Sequence, residues 1–137
     1  MRFEDLPRLE FADPGPVRDQ VVAAILAGTK TTTTGLVFEY EREGKALPEA
    51  GQQYVVLDSV SRPVAVIEMT EVRKVLIGDI DLRHVWDDGD ESVAQWRAAH
   101  EGYWHSAEMR ELLGDPGFIV GDDTVVLAQR FRLVRAL

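Results

Sequence analysis

Apolar side chains recur at a spacing of four through VRDQVVAAILAG. Val17, Val21 and Ile25 fall on one row, and Val22 and Leu26 on the next. That period predicts an amphipathic helix. Asp13 is expected to cap it, with Pro14 or Pro16 in its first turn, and Gly28 to stop it. Residues 31–40, TTTTGLVFEY, are rich in β-branched and aromatic types and read as extended. A polar turn region follows over 41–51, then a strand over 53–58 (QYVVLD), a turn over 59–63 and a longer strand over 64–76. Residues 78–85 predict a short helix or turn, and WDDGD at 86–90 a loop. Ser92 with Gln95 forms a capping-box pattern. The helix after it carries Val93, Trp96, His100 and Trp104 along one stripe. Residues 106–113 predict a further short helix ended by Gly114. In 124–134, Val125, Leu127, Phe131 and Leu133 alternate with polar or smaller residues, the pattern of a strand with one buried face.

Strands with helices at a few places and no strict βαβ rhythm argue against a doubly wound sheet. The expected class is α+β, a curved mixed sheet or small barrel flanked by helices. The chain has 137 residues, which suits one domain over 1–137. It has no cysteine, which excludes a disulfide framework, a thiol nucleophile and thiolate metal sites. The first residues, MRFEDLPRLEF, carry acids and no apolar run, and no stretch reaches the ~20 apolar residues of a membrane span. A cytoplasmic protein is expected. The net charge of −9 disfavours indiscriminate binding to long RNA or DNA, whose phosphates select basic surfaces. A small nucleoside or nucleotide, or a short RNA, fits an acidic body better.

Several segments in order carry a family resemblance: Gly28-Thr29-Lys30-Thr31-Thr32-Thr33, Phe38-Glu39-Tyr40-Glu41, Pro48-Glu49-Ala50-Gly51, Arg62 through Thr70, Gly89 through His100, and Val125 through Val134. The first is similar to a G-x-K-x-x-T turn. Gly89-Asp90-Glu91-Ser92-Val93-Ala94-Gln95-Trp96-Arg97-Ala98-Ala99-His100 is similar to G-D-x-S-L-x-x-W-R-x-x-H. Together they resemble the ASCH domain, over about residues 11–134, in the longer bacterial subfamily. The resemblance implies a PUA-like fold and three kinds of activity. ASCH domains were first proposed to bind RNA, one member is a ribonuclease, and small bacterial members hydrolyse the amide of N4-acetylcytidine. That hydrolysis uses the Lys and Thr of K-x-x-T with an acid. The amidohydrolase pattern continues K-x-x-T-x-R, and here Gly35 stands at the Arg position. Its acidic loop reads Trp86-Asp87-Asp88-Gly89-Asp90, so Asp88 matches the acid with one methylene fewer.

The resemblance makes Lys30, Thr33 and Asp88 the candidate catalytic group. A threonine hydroxyl attacks an amide only when a base takes its proton. A lysine serves as that base when burial brings its pKa from ~10.4 toward neutrality. Asp88 would hold Lys30 or pass a proton to the leaving amine. The three are expected to border one pocket between the sheet and the first helix. Thr31, Thr32 and Thr34 are alternatives to Thr33. The competing reading is a solvated Lys beside a Thr-rich strand, with acids that favour the next helix's N-terminus, which is where Asp90 is assigned. Tyr40, Glu41 and Arg130 are the candidate substrate-binding residues, Tyr40 by stacking on a base. Trp86 and Trp104 could also stack, and both are read as core. His100 is read as a hydrogen-bonded core histidine. The histidines lack ligand spacing and the acids lack the D-x-D-x-D-G order of a calcium loop, so no metal or cofactor is expected. The leading expectation is a nucleoside-directed amidohydrolase. The alternatives are a non-catalytic RNA- or nucleotide-binding module and a ribonuclease.

Overall fold

The computed structural model describes residues 2–137. Among these residues, five strands and five α-helices follow the order β1 (Arg8–Leu9), α1 (Pro16–Ala27), β2 (Thr32–Leu36), α2 (Val37–Glu43), β3 (Gln53–Leu57), β4 (Pro63–Leu76), α3 (Leu82–Asp88), α4 (Val93–Trp104), α5 (Ala107–Leu113) and β5 (Val125–Ala136), with short 3-10 turns at Phe3–Asp5 and Ile77–Asp79. The strands form one mixed sheet in the order β1-β3-β4-β5-β2. β1 runs parallel to β3, and β3 antiparallel to β4 with a register shift at Val56/Leu57. This is an α+β fold, as expected.

The chain forms two compact units. The first comprises residues up to 31, 48–72 and 130–137. Its core is built by Phe11, Val22 and Ile25 with Val56, Ala65, Ile67, Met69 and Phe131. The predicted row of α1 is corrected here: Val17 and Leu26 are exposed, and Arg18, Val22 and Ile25 face inward. Arg18 is buried because its guanidinium donates to the backbone carbonyls of Phe11 (3.1 Å), Ala12 (2.6 Å) and Asp58 (3.3 Å). Those bonds replace the water a cation otherwise needs. The cap is also corrected. Gly15, not Asp13, is the N-cap, with Pro16 in the first turn and no side-chain cap bond. Gly28 ends α1 in the left-handed conformation, as predicted.

The second unit comprises residues 32–47 and 73–129. Leu36, Ile77, Val85, Trp96, Trp104, Met109, Leu113, Phe118 and Val126 are among its core residues. The extended reading of 31–40 holds only as far as Leu36. Residues 37–43 are the helix α2, so Tyr40 and Glu41 stand on a helix. Its seven residues are too few to be stable alone, and packing decides their state. Val37 is buried, Phe38 lies 5.7 Å from Phe118, and Gly44 closes the helix at φ 65°. The predicted 86–90 loop is likewise corrected, since α3 runs through Asp88 from its cap Asp81. In β5, Phe131 is buried as expected, but Val126-Leu127-Ala128-Gln129 form an unbroken buried run and Val125 is exposed. The alternation fails over 125–129, where β5 lies inside the sheet between β4 and β2, and holds around Phe131.

Candidate functional site

Strand alternation sorts the threonines of β2. Thr32 donates its hydroxyl to the carbonyl of His84 (2.7 Å), and the Thr34 hydroxyl meets His84 Nε2 at 2.8 Å. Both therefore point to the face covered by α3. Thr33 and Gly35, one residue out of step, point to the opposite face. A Cβ added at Gly35 would lie 3.2 Å from Tyr40 Cε2, 3.6 Å from the Tyr40 hydroxyl oxygen and 3.6 Å from Gln129 Nε2. The Tyr40 ring thus packs directly onto Gly35, closer than a Cβ would ordinarily allow, with the Gln129 amide beside it.

Asp88 ends α3, and Gly89 turns the chain toward α4 at φ 102°. The Asp88 side chain is 7% exposed and its Oδ2 accepts the Trp96 indole N–H at 2.9 Å, with His100 Nε2 at 3.8 Å. Trp96 and His100 are one helical turn apart, so their rings stack at 4.2 Å, and the Trp96 carbonyl meets His100 Nδ1 at 2.8 Å. His84 packs edge-on against Trp96 at 6.4 Å, and Trp104 follows His100 at 5.2 Å. The W-R-x-x-H spacing therefore builds an aromatic column that grips the acid of the preceding helix. Arg97 of the same motif donates to Glu101 (2.9 Å) and Asp122 (2.6 Å).

The ASCH domain profile matches residues 8–135. The chain belongs to the ASCH family. Solved structures give the same fold. A protein from Enterococcus faecalis V583 superposes with a TM-score of 0.80 at 23% identity, covering 95% of this chain and 77% of that one. An ASCH domain from Lactobacillus crispatus JV V101 superposes with a TM-score of 0.78 at 25% identity, covering 96% and 82%. No curated protein matches the sequence. ASCH domains have a PUA-like fold and are associated with RNA or nucleotide binding.

In this ASCH domain the second unit carries Thr33, Tyr40, Glu41 and Asp88, and the first carries Lys30 and Arg130. Lys30 follows the C-cap of α1 and is 7% exposed, its Nζ 5.7 Å from the centre of the Phe11 ring. Tyr40 is half-buried and Glu41 exposed. Arg130 is half-buried, and its carbonyl accepts the Thr70 hydroxyl at 3.2 Å. Trp104 is core, as expected. Trp86 is not: it is exposed, its indole N–H bonded to the Glu91 carbonyl at 3.0 Å. His100 has the hydrogen bond expected of it, but as part of the Asp88 grip.

Three residues of this ASCH domain escaped the sequence reading. His84 had no signal, because its partners on β2 lie 50 and 52 residues away. Gln129 had one, an amide inside the apolar run VVLAQRF. Glu39 lies inside a quoted motif, and its carboxyl is pushed above the ordinary range by burial first and the nearby Glu43 second, against the pull of Lys45. Among the described residues no helix is long and apolar enough to cross a membrane, and no three His, Asp or Glu group as metal ligands.

Proposed function

We propose that this ASCH domain binds a nucleoside or nucleotide and hydrolyses an acyl amide on it, with N4-acetylcytidine as the reference substrate. Lys30 takes the proton from the Thr33 hydroxyl as Thr33 Oγ bonds to the acyl carbon. The C–N bond then breaks, and the proton passes to the leaving amine with Asp88 orienting the group. Water hydrolyses the acyl-Thr33 ester, releasing acetate and restoring the hydroxyl. What supports this most is the family membership together with the motif positions: Lys30 and Thr33 keep the K-x-x-T spacing and Asp88 stands at the position of the acid, its carboxylate fixed by the Trp96 indole N–H. A fixed charge spends no reorganisation at the moment of reaction. The orientation of Thr33, away from the anchored Thr32 and Thr34, leaves its hydroxyl available for chemistry.

The same grip favours a second reading, a nucleotide-binding module in which Asp88 only braces α4. Acetate release from N4-acetylcytidine separates the two. Turnover by the wild type, cut ~10²–10⁴-fold by Lys30→Ala, is expected of a base-assisted hydrolase. Binding without turnover, or equal rates for wild type and Lys30→Ala, rejects the catalytic assignment.

A further inference from the structure

Gln129 carries a feature that the proposed mechanism does not use. It is 4% exposed, yet its side-chain amide makes no hydrogen bond among the described residues. Among the described residues, no buried side-chain nitrogen or oxygen is sealed off without a partner. What little of Gln129 reaches the surface must therefore include the amide. Buried amides are ordinarily paired, and one left open asks for a reason. Neighbouring positions in the same run are filled by Val126, Leu127 and Ala128, so an apolar residue would fit the sheet better. The amide Nε2 lies 3.6 Å from the Cβ position of Gly35, where the Tyr40 hydroxyl oxygen is equally near. A side chain at position 35 would press on the Tyr40 ring and displace it from beside the amide. Thr33 is two residues away on the same face of β2, about 7 Å along the strand.

We propose that Gln129 is a specificity residue that reads the planar, uncharged amide edge of the ligand beside the Tyr40 hydroxyl. The inference rests on the Thr33 face being the ligand face. The chemistry sets the ligand class. A glutamine amide offers donors and an acceptor in one plane, which pair with a carbonyl and an adjacent N–H or ring nitrogen. A pyrimidine base or its acylated amine presents such an edge. Gln129 carries no charge, so it gives a phosphate or carboxylate no counter-ion. With glycine at position 35, neither does that residue. Recognition at this spot thus selects the base or acyl-amide part of a nucleoside and is indifferent to a 5′-phosphate.

The test is titration of the ¹⁵N-labelled protein with N4-acetylcytidine and with N4-acetylcytidine 5′-monophosphate, alongside Gln129→Met. The side-chain amide resonances of Gln129 should move with both ligands, at similar affinity. Gln129→Met should weaken both by about 10-fold, the scale of one net hydrogen bond, while its melting temperature holds or rises. Equal affinity in Gln129→Met overturns the inference and leaves the proposed hydrolase standing. A strong preference for the phosphorylated ligand that survives Gln129→Met also overturns it. Should Gln129→Met lose both stability and affinity, Gln129→Glu decides. Unchanged melting with lost affinity supports ligand reading, and any other result assigns Gln129 to the sheet. If the wild type binds neither compound, the proposed function fails, and the inference falls with it.

Discussion

Glu39 stands half-buried on α2, its carboxyl raised first by burial and then by Glu43. A raised acid binds its proton more tightly folded than unfolded, so stability falls as pH rises through the window that starts at the ordinary 4.5 and ends at the folded value. Glu39→Gln should therefore be more stable than the wild type at neutral pH and equal to it below that window. Urea unfolding at both pH values checks this, and equal stability at neutral pH would contradict it. Asp88 makes a different point. Asp88→Ala leaves the Trp96 indole N–H buried without an acceptor and should cost about 1–3 kcal/mol. Asp88→Asn keeps an acceptor for that N–H and should fold nearly as well as the wild type, yet lose hydrolysis. If Asn loses stability as Ala does, the carboxylate is chiefly a brace. At this scale the family pattern is local, so the sequence alone could single out Lys30, Thr33 and Asp88 as candidates. His84 and Gln129 were not, because their significance lies in strands and helices distant in sequence.

Among elements, α2 is the instructive case. Val37 and Phe38 favour strand locally, and Glu39, Glu41 and Arg42 favour helix. The contact of Phe38 with Phe118 and the left-handed Gly44 settle the conflict, and neither is visible in a ten-residue window. β5 was located from its sequence, but its burial pattern was not, since periodicity cannot tell a central strand from an edge strand. Two glycines test the account of the helices with opposite signs. Gly114 ends α5 at φ 68°, and a Cβ there would also press on the Arg42 guanidinium. Gly114→Ala should cost at least about 1–2 kcal/mol. Gly102 lies inside α4 with nothing near its Cβ position. Gly102→Ala should add roughly 0.5–1 kcal/mol of stability. Denaturant midpoints measured together decide it, and changes of the same sign would contradict the assignment.

For the molecule as a whole, the net charge of −9 constrains what an ASCH domain can hold. Binding through a nucleic-acid backbone releases counterions and weakens steeply with salt. This chain should bind mixed-sequence RNA poorly at physiological ionic strength. Tight, salt-sensitive binding in a filter or anisotropy assay would favour the RNA-module reading over the hydrolase. The order of motifs made the α+β class and the family legible from the chain alone. The sheet order was not, because pairing such as β5 beside β2 joins segments about ninety residues apart.

The most direct test of the central claim is the rate of acetate release from N4-acetylcytidine across alanine substitutions of Thr31, Thr32, Thr33 and Thr34, each paired with its melting temperature. Thr33→Ala should abolish turnover and leave melting unchanged. Thr32→Ala should lower the melting temperature through loss of its buried bond to His84, while retaining turnover. Turnover that survives Thr33→Ala and disappears in another member of the series would contradict the assignment of Thr33 as the nucleophile.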